Sequence, residues 1–375
     1  MKIGILTYHR AVNYGAFLQA YGLCQRLNQE PDIEAEIIDY RMEKEMLSYD
    51  YEKRSILWKV RHFPTYRYKK KLEAVFKIEQ KKLPLSKDSL VSDSFEDFRN
   101  FVYNKYDFII AGSDEIWKVD GFRGYPTPYW LPGDLGCGKV SYAASSRTDF
   151  SKLDKEILKT IREYLNDFLF ISVRDDLTKS AIQEYIHPSA DVEVFPDPSF
   201  VYDFKADGKK GREHIAALAG FDPAKKIMLV MMENKDYAEQ IRKEFAEEYQ
   251  IIAVFSRKRN YKNVSELGPF EWLDAIAGAD LVCTSYFHAV CFSIIYQTPF
   301  LAFGTDGKES KLFSVMNESK NMDRLLTDKE KICSDGYLKQ KIEELSSVRV
   351  ENAYVSTCKK RFEEYVSILR SLKRS

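Results

Sequence analysis

The stretch Leu281-Val-Cys-Thr284 follows Ala279-Asp280 and leads within two residues into apolar positions at Phe287, Cys291, Ile294 and Ile295. A short apolar run without alternation reads as a strand buried on both faces. The spacing that follows it is that of a helix with one buried side. Together they predict a unit of a parallel α/β sheet, and in open sheets of that kind ligands bind beyond the carboxyl ends of the strands. His288 falls in the first turn of the helix, where unpaired N–H groups and partial positive charge favour an anion. The same position also fits a histidine that only caps a buried helix, and the local sequence leaves both readings open.

The strand-helix unit recurs along the chain. Residues 3–7 read as a strand and residues 14–27 as a helix, with Phe17, Ala20, Tyr21, Cys24 and Leu27 on its buried face. The loop between them opens at a strand's carboxyl end, which puts Asn13 and Gly15 close to any ligand there; Gly15 equally fits tight strand-helix packing. Residues 35–39 form the next expected strand, and residues 41–100 read as a mostly helical, polar insertion. Strands at 108–111, 139–144, 170–173 and 192–195, with a helix at 154–169, complete the first half. Asp114 fits a helix cap or a hydroxyl-binding carboxylate. Arg174, just past a strand end, fits an anionic substrate or an ion pair with a neighbouring Asp. Residues 203–212, polar and with Gly208 and Gly211, read as a linker.

Beyond the linker, strands at 227–232, 251–255, 281–284 and 300–303 alternate with helices at 237–249, 270–276 and 308–316. Amphipathic helices at 339–345 and 355–372 follow. The expected division is a first domain at 1–204, a second at 205–352 carrying His288, and a C-terminal helix at 353–375. Two Rossmann-like, doubly wound α/β domains facing a cleft is the fold class this implies.

Composition supplies exclusions. The 375 residues are enough for two cores, and 57 Lys+Arg against 57 Asp+Glu give a formal net charge of zero, so no nucleic-acid partner is expected. Cysteines 24, 137, 283, 291, 333 and 358 are scattered without a CxxC pair, which fits a reduced, cytoplasmic setting. No His and carboxylate cluster has metal-ligand spacing, so no metal is expected. Lys2-Ile-Gly-Ile-Leu-Thr7 reads as a strand rather than a signal peptide, and no apolar run reaches membrane-spanning length. One stretch departs from neutrality: from Lys53 to Lys87, twelve Lys and Arg stand against two Glu, with Trp58, Phe63, Tyr66, Tyr68 and Phe76 interleaved. It fits a peripheral contact with the inner, anionic face of a membrane, or a solvated helix pair lying over the sheet.

Several of these stretches resemble one family. Thr284-Ser-Tyr-Phe-His288, Phe292-Ser-Ile and Pro299-Phe300 are similar to the signature of polysaccharide pyruvyl transferases. So are Gly4-Ile-Leu-Thr, Asn13-Tyr-Gly-Ala-Phe-Leu-Gln-Ala-Tyr21, Gly112-Ser-Asp-Glu-Ile-Trp117, Ser141-Tyr-Ala-Ala-Ser145, Ile171-Ser-Val-Arg-Asp175, Asp197-Pro-Ser199 and Arg324-Leu-Leu326, in order along nearly the whole chain. The resemblance implies the two-domain architecture called GT-B, in which the last helix returns to the first domain. It implies transfer of pyruvate from phosphoenolpyruvate to two hydroxyls of one sugar, as a cyclic ketal with release of phosphate. The acceptor would be a sugar or lipid-linked glycan of an exopolysaccharide or cell-envelope precursor. No cofactor is implied beyond phosphoenolpyruvate as co-substrate.

That chemistry asks for a proton on the vinyl carbon, and His288 is the implied general acid. The donor's carboxylate and phosphate ask for cations and helix amino ends. Characterised relatives carry Arg-Leu-His where this chain has Tyr286-Phe287-His288. A phenol does not replace a guanidinium. Ser285 and Tyr286 are the implied donor contacts from the motif, with Arg257, Lys258, Arg174 and Lys235 as candidates for the missing charge. Asn13, Tyr14, Gly15, Ser113, Asp114 and Ser145 are the implied acceptor contacts. Two other classes fit the same features: a GT-B glycosyltransferase using a nucleotide sugar, and a non-catalytic carbohydrate-binding relative.

Overall fold

The apolar runs do pair as strands, and every pairing is parallel. A computed structural model describes all residues except 50–54, 122, 256, 305–308 and 375. Lys53 of the basic stretch, Ser256 after the strand at 251–255, and Lys308 at the start of a predicted helix lie outside the described residues. The chain divides into two compact units. The first holds Met1–Arg54, Gln80–Asp203 and Thr357–Ser375; the second holds Ser55–Glu79 and Phe204–Ser356.

The first unit is built on β1 (Lys2–Leu6), β2 (Glu34–Arg41), β3 (Leu85–Val91), β4 (Phe108–Ala111), β5 (Gly138–Ser141), β6 (Phe168–Val173) and β7 (Val192–Val194). They form one seven-stranded sheet in the order β3-β2-β1-β4-β5-β6-β7. Reversal of strand order beside β1 is the mark of a doubly wound sheet. Central β4 is fully buried, as a parallel strand covered by helices must be. β3 was expected to be part of a helical insertion. It is polar because it is an edge strand, bonded along one side only, and lysine on an exposed edge discourages further pairing. The C-terminal helix Ala353–Arg374 joins this unit from Thr357 on. Its Tyr365 ring meets Tyr142 at 4.8 Å, and Arg370 pairs with Glu30 at 3.0 Å.

The second unit carries β8 (Ile227–Met231), β9 (Gln250–Val254), β10 (Lys262–Val264), β11 (Leu281–Thr284), β12 (Phe300–Phe303) and β13 (Leu325–Leu326). Their order is β10-β9-β8-β11-β12-β13. β10 is a three-residue edge strand that its composition did not reveal. The basic stretch contributes here. Tyr68, Leu72 and Phe76, four residues apart on the helix Phe63–Glu79, are buried, and the Tyr68 hydroxyl donates to the Val264 carbonyl at 3.0 Å.

Residues 203–212 were expected to be a linker; the second half of that stretch, from Gly208 on, opens the helix Gly208–Ala219, capped by Asp207. Its glycines are there for contact rather than flexibility. A Cβ on Gly211 would stand 2.1 Å from the Asp274 backbone in the helix Pro269–Gly278, closer than any packing allows. Gly211→Val is therefore expected to cost the second unit about 1–3 kcal/mol or more through overpacking, read as a lower midpoint in urea unfolding. An unchanged midpoint would mean the two helices separate freely.

Candidate functional site

The centre of the second sheet positions the histidine. β11 lies between β8 and β12, with Cys283 in register with Val230 and Leu301. At its end the Thr284 hydroxyl donates to the Met231 carbonyl at 2.8 Å and accepts from the Tyr286 N–H at 2.9 Å. The Ser285 N–H reaches the same Met231 carbonyl at 3.0 Å. These bonds fasten the ends of β11 and β8 together and turn the chain into the helix Phe287–Tyr296. Tyr286 stands at the cap with an extended backbone and gives no side-chain cap. Ala289 to Ile294 are buried and anchor the helix, while His288 is half-buried with its ring edge-on to Phe287 at 5.2 Å.

Phe255 and Lys69 come to that turn from two other segments. Phe255, which follows β9 with φ at +69°, meets the Tyr286 ring edge-on at 5.4 Å. Lys69, from the helix Phe63–Glu79, holds its Nζ 5.3 Å from the Phe255 ring centroid. Lys258 is buried: its N–H donates to Asn263 Oδ1 at 2.6 Å and its Nζ to the Glu233 carbonyl at 2.8 Å. Burial pushes the Lys258 ammonium below its ordinary pKa, with the Glu233 carboxylate opposing and Lys235 adding. Arg257 is exposed and makes no hydrogen bond or ion pair with the described residues. Lys235 is exposed at the start of the helix Lys235–Phe245. Lys69 and Phe255 were not among the expected site residues. Their signal was Lys69 lying next to Tyr68 at the margin of the Tyr68/Leu72/Phe76 stripe.

In the first unit the expected residues do backbone work. Asn13 caps the helix Tyr14–Leu27, its Oδ1 accepting from the Gly15 and Ala16 N–H groups at 2.9 and 3.2 Å. Tyr14 and Gly15 are buried in that first turn. The Ser113 hydroxyl donates to the Ala143 carbonyl at 2.9 Å, and the Ser113 carbonyl accepts from Thr7 at 2.9 Å. Asp114 is not a helix cap: no helix follows it among the described residues, its φ is +80°, and its carboxylate accepts from the Glu115 N–H at 2.9 Å. Gly112 before it has φ of +124°, and a Cβ there would meet the Tyr142 carbonyl at 2.3 Å.

Arg174 takes the ion-pair option of its two readings. Its guanidinium bonds Asp197 at 3.0 Å and Ser145 Oγ at 2.7 Å, with both members of the ion pair buried. It is an internal brace and not an exposed anion contact, and Ser145 is committed with it. A second buried network was missed altogether. His9 places Nε2 3.1 Å from Asp39 Oδ1 and Nδ1 3.0 Å from the Thr7 carbonyl, and Arg10 Nε donates to Asp39 at 2.9 Å. Burial alone would raise the Asp39 carboxyl, but the bonds from His9 and Arg10 hold it well below the usual range. His9-Arg10 just past one strand and Asp39 near the end of the next were the available signal. Among the described residues, no group of three or more His, Cys, Asp or Glu is arranged to hold a metal ion.

The sequence model of polysaccharide pyruvyl transferase matches residues 13–307, most of the chain and all of the His288 turn. The chain belongs to the polysaccharide pyruvyl transferase family. No curated protein sequence matches it. Among solved structures it is similar to the UDP-GlcNAc 2-epimerase of Methanocaldococcus jannaschii, at 13% identity over 99% of this chain and 100% of that one, with a TM-score of 0.58. It is also similar to the UDP-GlcNAc 2-epimerase of Neisseria meningitidis, solved with UDP-GlcNAc, at 11% identity over 99% and 100% and a TM-score of 0.55. Anabaena HepE, solved in complex with UDP-glucose, gives 10% identity over 100% of both chains and a TM-score of 0.55. At these identities the likeness is one of fold, and the fold is the two-domain α/β arrangement called GT-B.

For this pyruvyl transferase family member, the motifs of the first unit are largely devices that hold loops in place. Gly112-Ser113-Asp114 makes a tight backbone turn, and Arg174 with Asp197-Pro-Ser199 makes a buried brace. The family motif of the second unit differs in kind, because it presents a half-buried imidazole on a rigid strand-to-helix turn.

Proposed function

We propose that this protein transfers the pyruvate skeleton of phosphoenolpyruvate to two hydroxyls of one sugar in a polysaccharide precursor, forming a cyclic ketal and releasing phosphate. The observation that carries this reading is His288, held half-buried at the end of a central strand inside the family's matched span. The vinyl carbon of the donor takes a proton from the His288 imidazolium, which makes the adjoining carbon electrophilic. One sugar oxygen adds to that carbon, the bond between it and the bridging oxygen breaks so that this oxygen leaves with the phosphate, and a second sugar oxygen closes the ketal. The two hydroxyl protons go to the imidazole and to the departing phosphate, so the balance needs no oxidant or further co-reactant. Ser285 and Tyr286 of the turn, with Lys258 and Arg257 from the segment after β9, are the donor contacts.

Phosphate release from phosphoenolpyruvate, measured with galactose- and hexosamine-containing acceptors, tests the reading. Acceptor-dependent release supports it. No release with phosphoenolpyruvate, together with consumption of UDP-glucose in the same assay, would favour nucleotide-sugar chemistry instead.

The acceptor reading extends to a lipid carrier. No described helix is long and apolar enough to cross a membrane. The helix Ile56–Arg61 buries none of its residues, and Ile56, Leu57 and Val60 are 81%, 79% and 70% exposed beside Lys59 and Arg61. Apolar side chains flanked by cations fit the surface of an anionic bilayer. Binding to anionic vesicles that fades with salt, and is lost when Ile56, Leu57 and Val60 become Ser, is the expected result in co-sedimentation. Absence of binding at low salt would contradict it.

A further inference from the structure

Lys69 differs from the lysines next to it. Lys71 pairs with Glu266, and Lys70 lies 5.9 Å from the Tyr66 ring centroid. Lys69 makes no hydrogen bond and no ion pair with any described residue, although its side chain is half-buried. Burial pushes its ammonium below the ordinary lysine pKa, and the Glu233 carboxylate only partly offsets this. A partly desolvated cation without a hydrogen-bonding partner is costly, and an anionic ligand there would pair with it.

The surroundings point to what that partner is. Lys69 lies against Phe255, whose φ of +69° is in the left-handed region that non-glycine residues seldom adopt. Phe255 thus touches both Lys69 and Tyr286, the residue that caps the His288 helix. Lys258, the other desolvated ammonium nearby, feels the same Glu233 carboxylate. A half-buried and a buried ammonium thus feel the same single carboxylate.

We propose that Lys69 is a binding residue for the phosphate or carboxylate group of the donor, supplying from the basic helix the charge that Tyr286 lacks. The identity of the donor rests on the pyruvyl-transfer reading; the anion site does not. Titration calorimetry of the full chain with phosphoenolpyruvate, inorganic phosphate and pyruvate tests it and shows which anionic group is held. Lys69→Met keeps the methylene stem on Phe255 and removes the charge, Lys69→Arg keeps the charge, and Lys70→Met controls for general loss of positive charge.

Lys69→Met is expected to weaken phosphoenolpyruvate binding about tenfold to a hundredfold, the contribution of one charge-assisted hydrogen bond, with recovery in Lys69→Arg and no change in Lys70→Met. A parallel loss with phosphate assigns the phosphate group, and one with pyruvate assigns the carboxylate. Unchanged binding of all three in Lys69→Met, an equal loss in Lys70→Met, or no binding of any probe by the natural chain overturns the proposal. Lys69-dependent phosphate binding without turnover of phosphoenolpyruvate would keep the site and remove the pyruvyl-transfer reading. Normal turnover and donor KM in Lys69→Met would do the reverse.

Discussion

His288→Ala is expected to lower turnover of phosphoenolpyruvate by a factor of about a hundred or more while leaving the protein folded, the usual loss when a positioned general acid is removed. The fold should tolerate it because the helix is anchored by Ala289 to Ile294, all buried, and not by the half-buried imidazole. The turn itself is held by Thr284 and Ser285 through the Met231 carbonyl, bonds that the substitution does not touch. Circular dichroism and thermal unfolding run beside the assay separate chemistry from folding. A variant that unfolds at the natural temperature and turns over at the natural rate would end the assignment of His288 as acid.

Asp197→Ala should have the largest effect on stability. It leaves the Arg174 guanidinium buried without its charge partner, and breaking a buried pair from one side costs about 3–5 kcal/mol. It also removes the acceptor of the Ser199 N–H at 3.0 Å. The double change Arg174→Met with Asp197→Leu removes both charges at similar volume and should recover most of that loss. Urea unfolding reads both. A loss under about 1 kcal/mol in Asp197→Ala would mean that Arg174 turns to solvent or to Ser145 alone, and that the brace is weak.

What the sequence revealed follows from burial. β4, β8, β11 and β12 are covered on both faces, so their residues are continuously apolar and easily recognised. β3 and β10 lie at sheet edges, where polar residues are tolerated, and their composition resembles that of loops and helices. Gly208 and Gly211 looked like linker glycines because a close helix crossing and a flexible joint ask for the same residue. The His288 turn was legible because strand, turn and helix are contiguous in the chain. An ion pair of Arg174 was legible as one of two readings, but its partner Asp197 was not, since it lies 23 residues away and nothing local marks the pairing. Lys69 was hidden for the same reason: its charge reads as part of a basic run, and only the fold brings it against Phe255.

Under the proposed chemistry the carbon skeleton of phosphoenolpyruvate ends up on a sugar. Phosphoenolpyruvate labelled with carbon-13 at its central carbon, incubated with the full chain and an acceptor saccharide, tests this most directly by nuclear magnetic resonance of the purified saccharide. The expected product carries a labelled ketal carbon bonded to two sugar oxygens, formed in equal amount with free phosphate and absent with His288→Ala. Label that stays in phosphoenolpyruvate, or appears as free pyruvate with an unmodified saccharide, would contradict it.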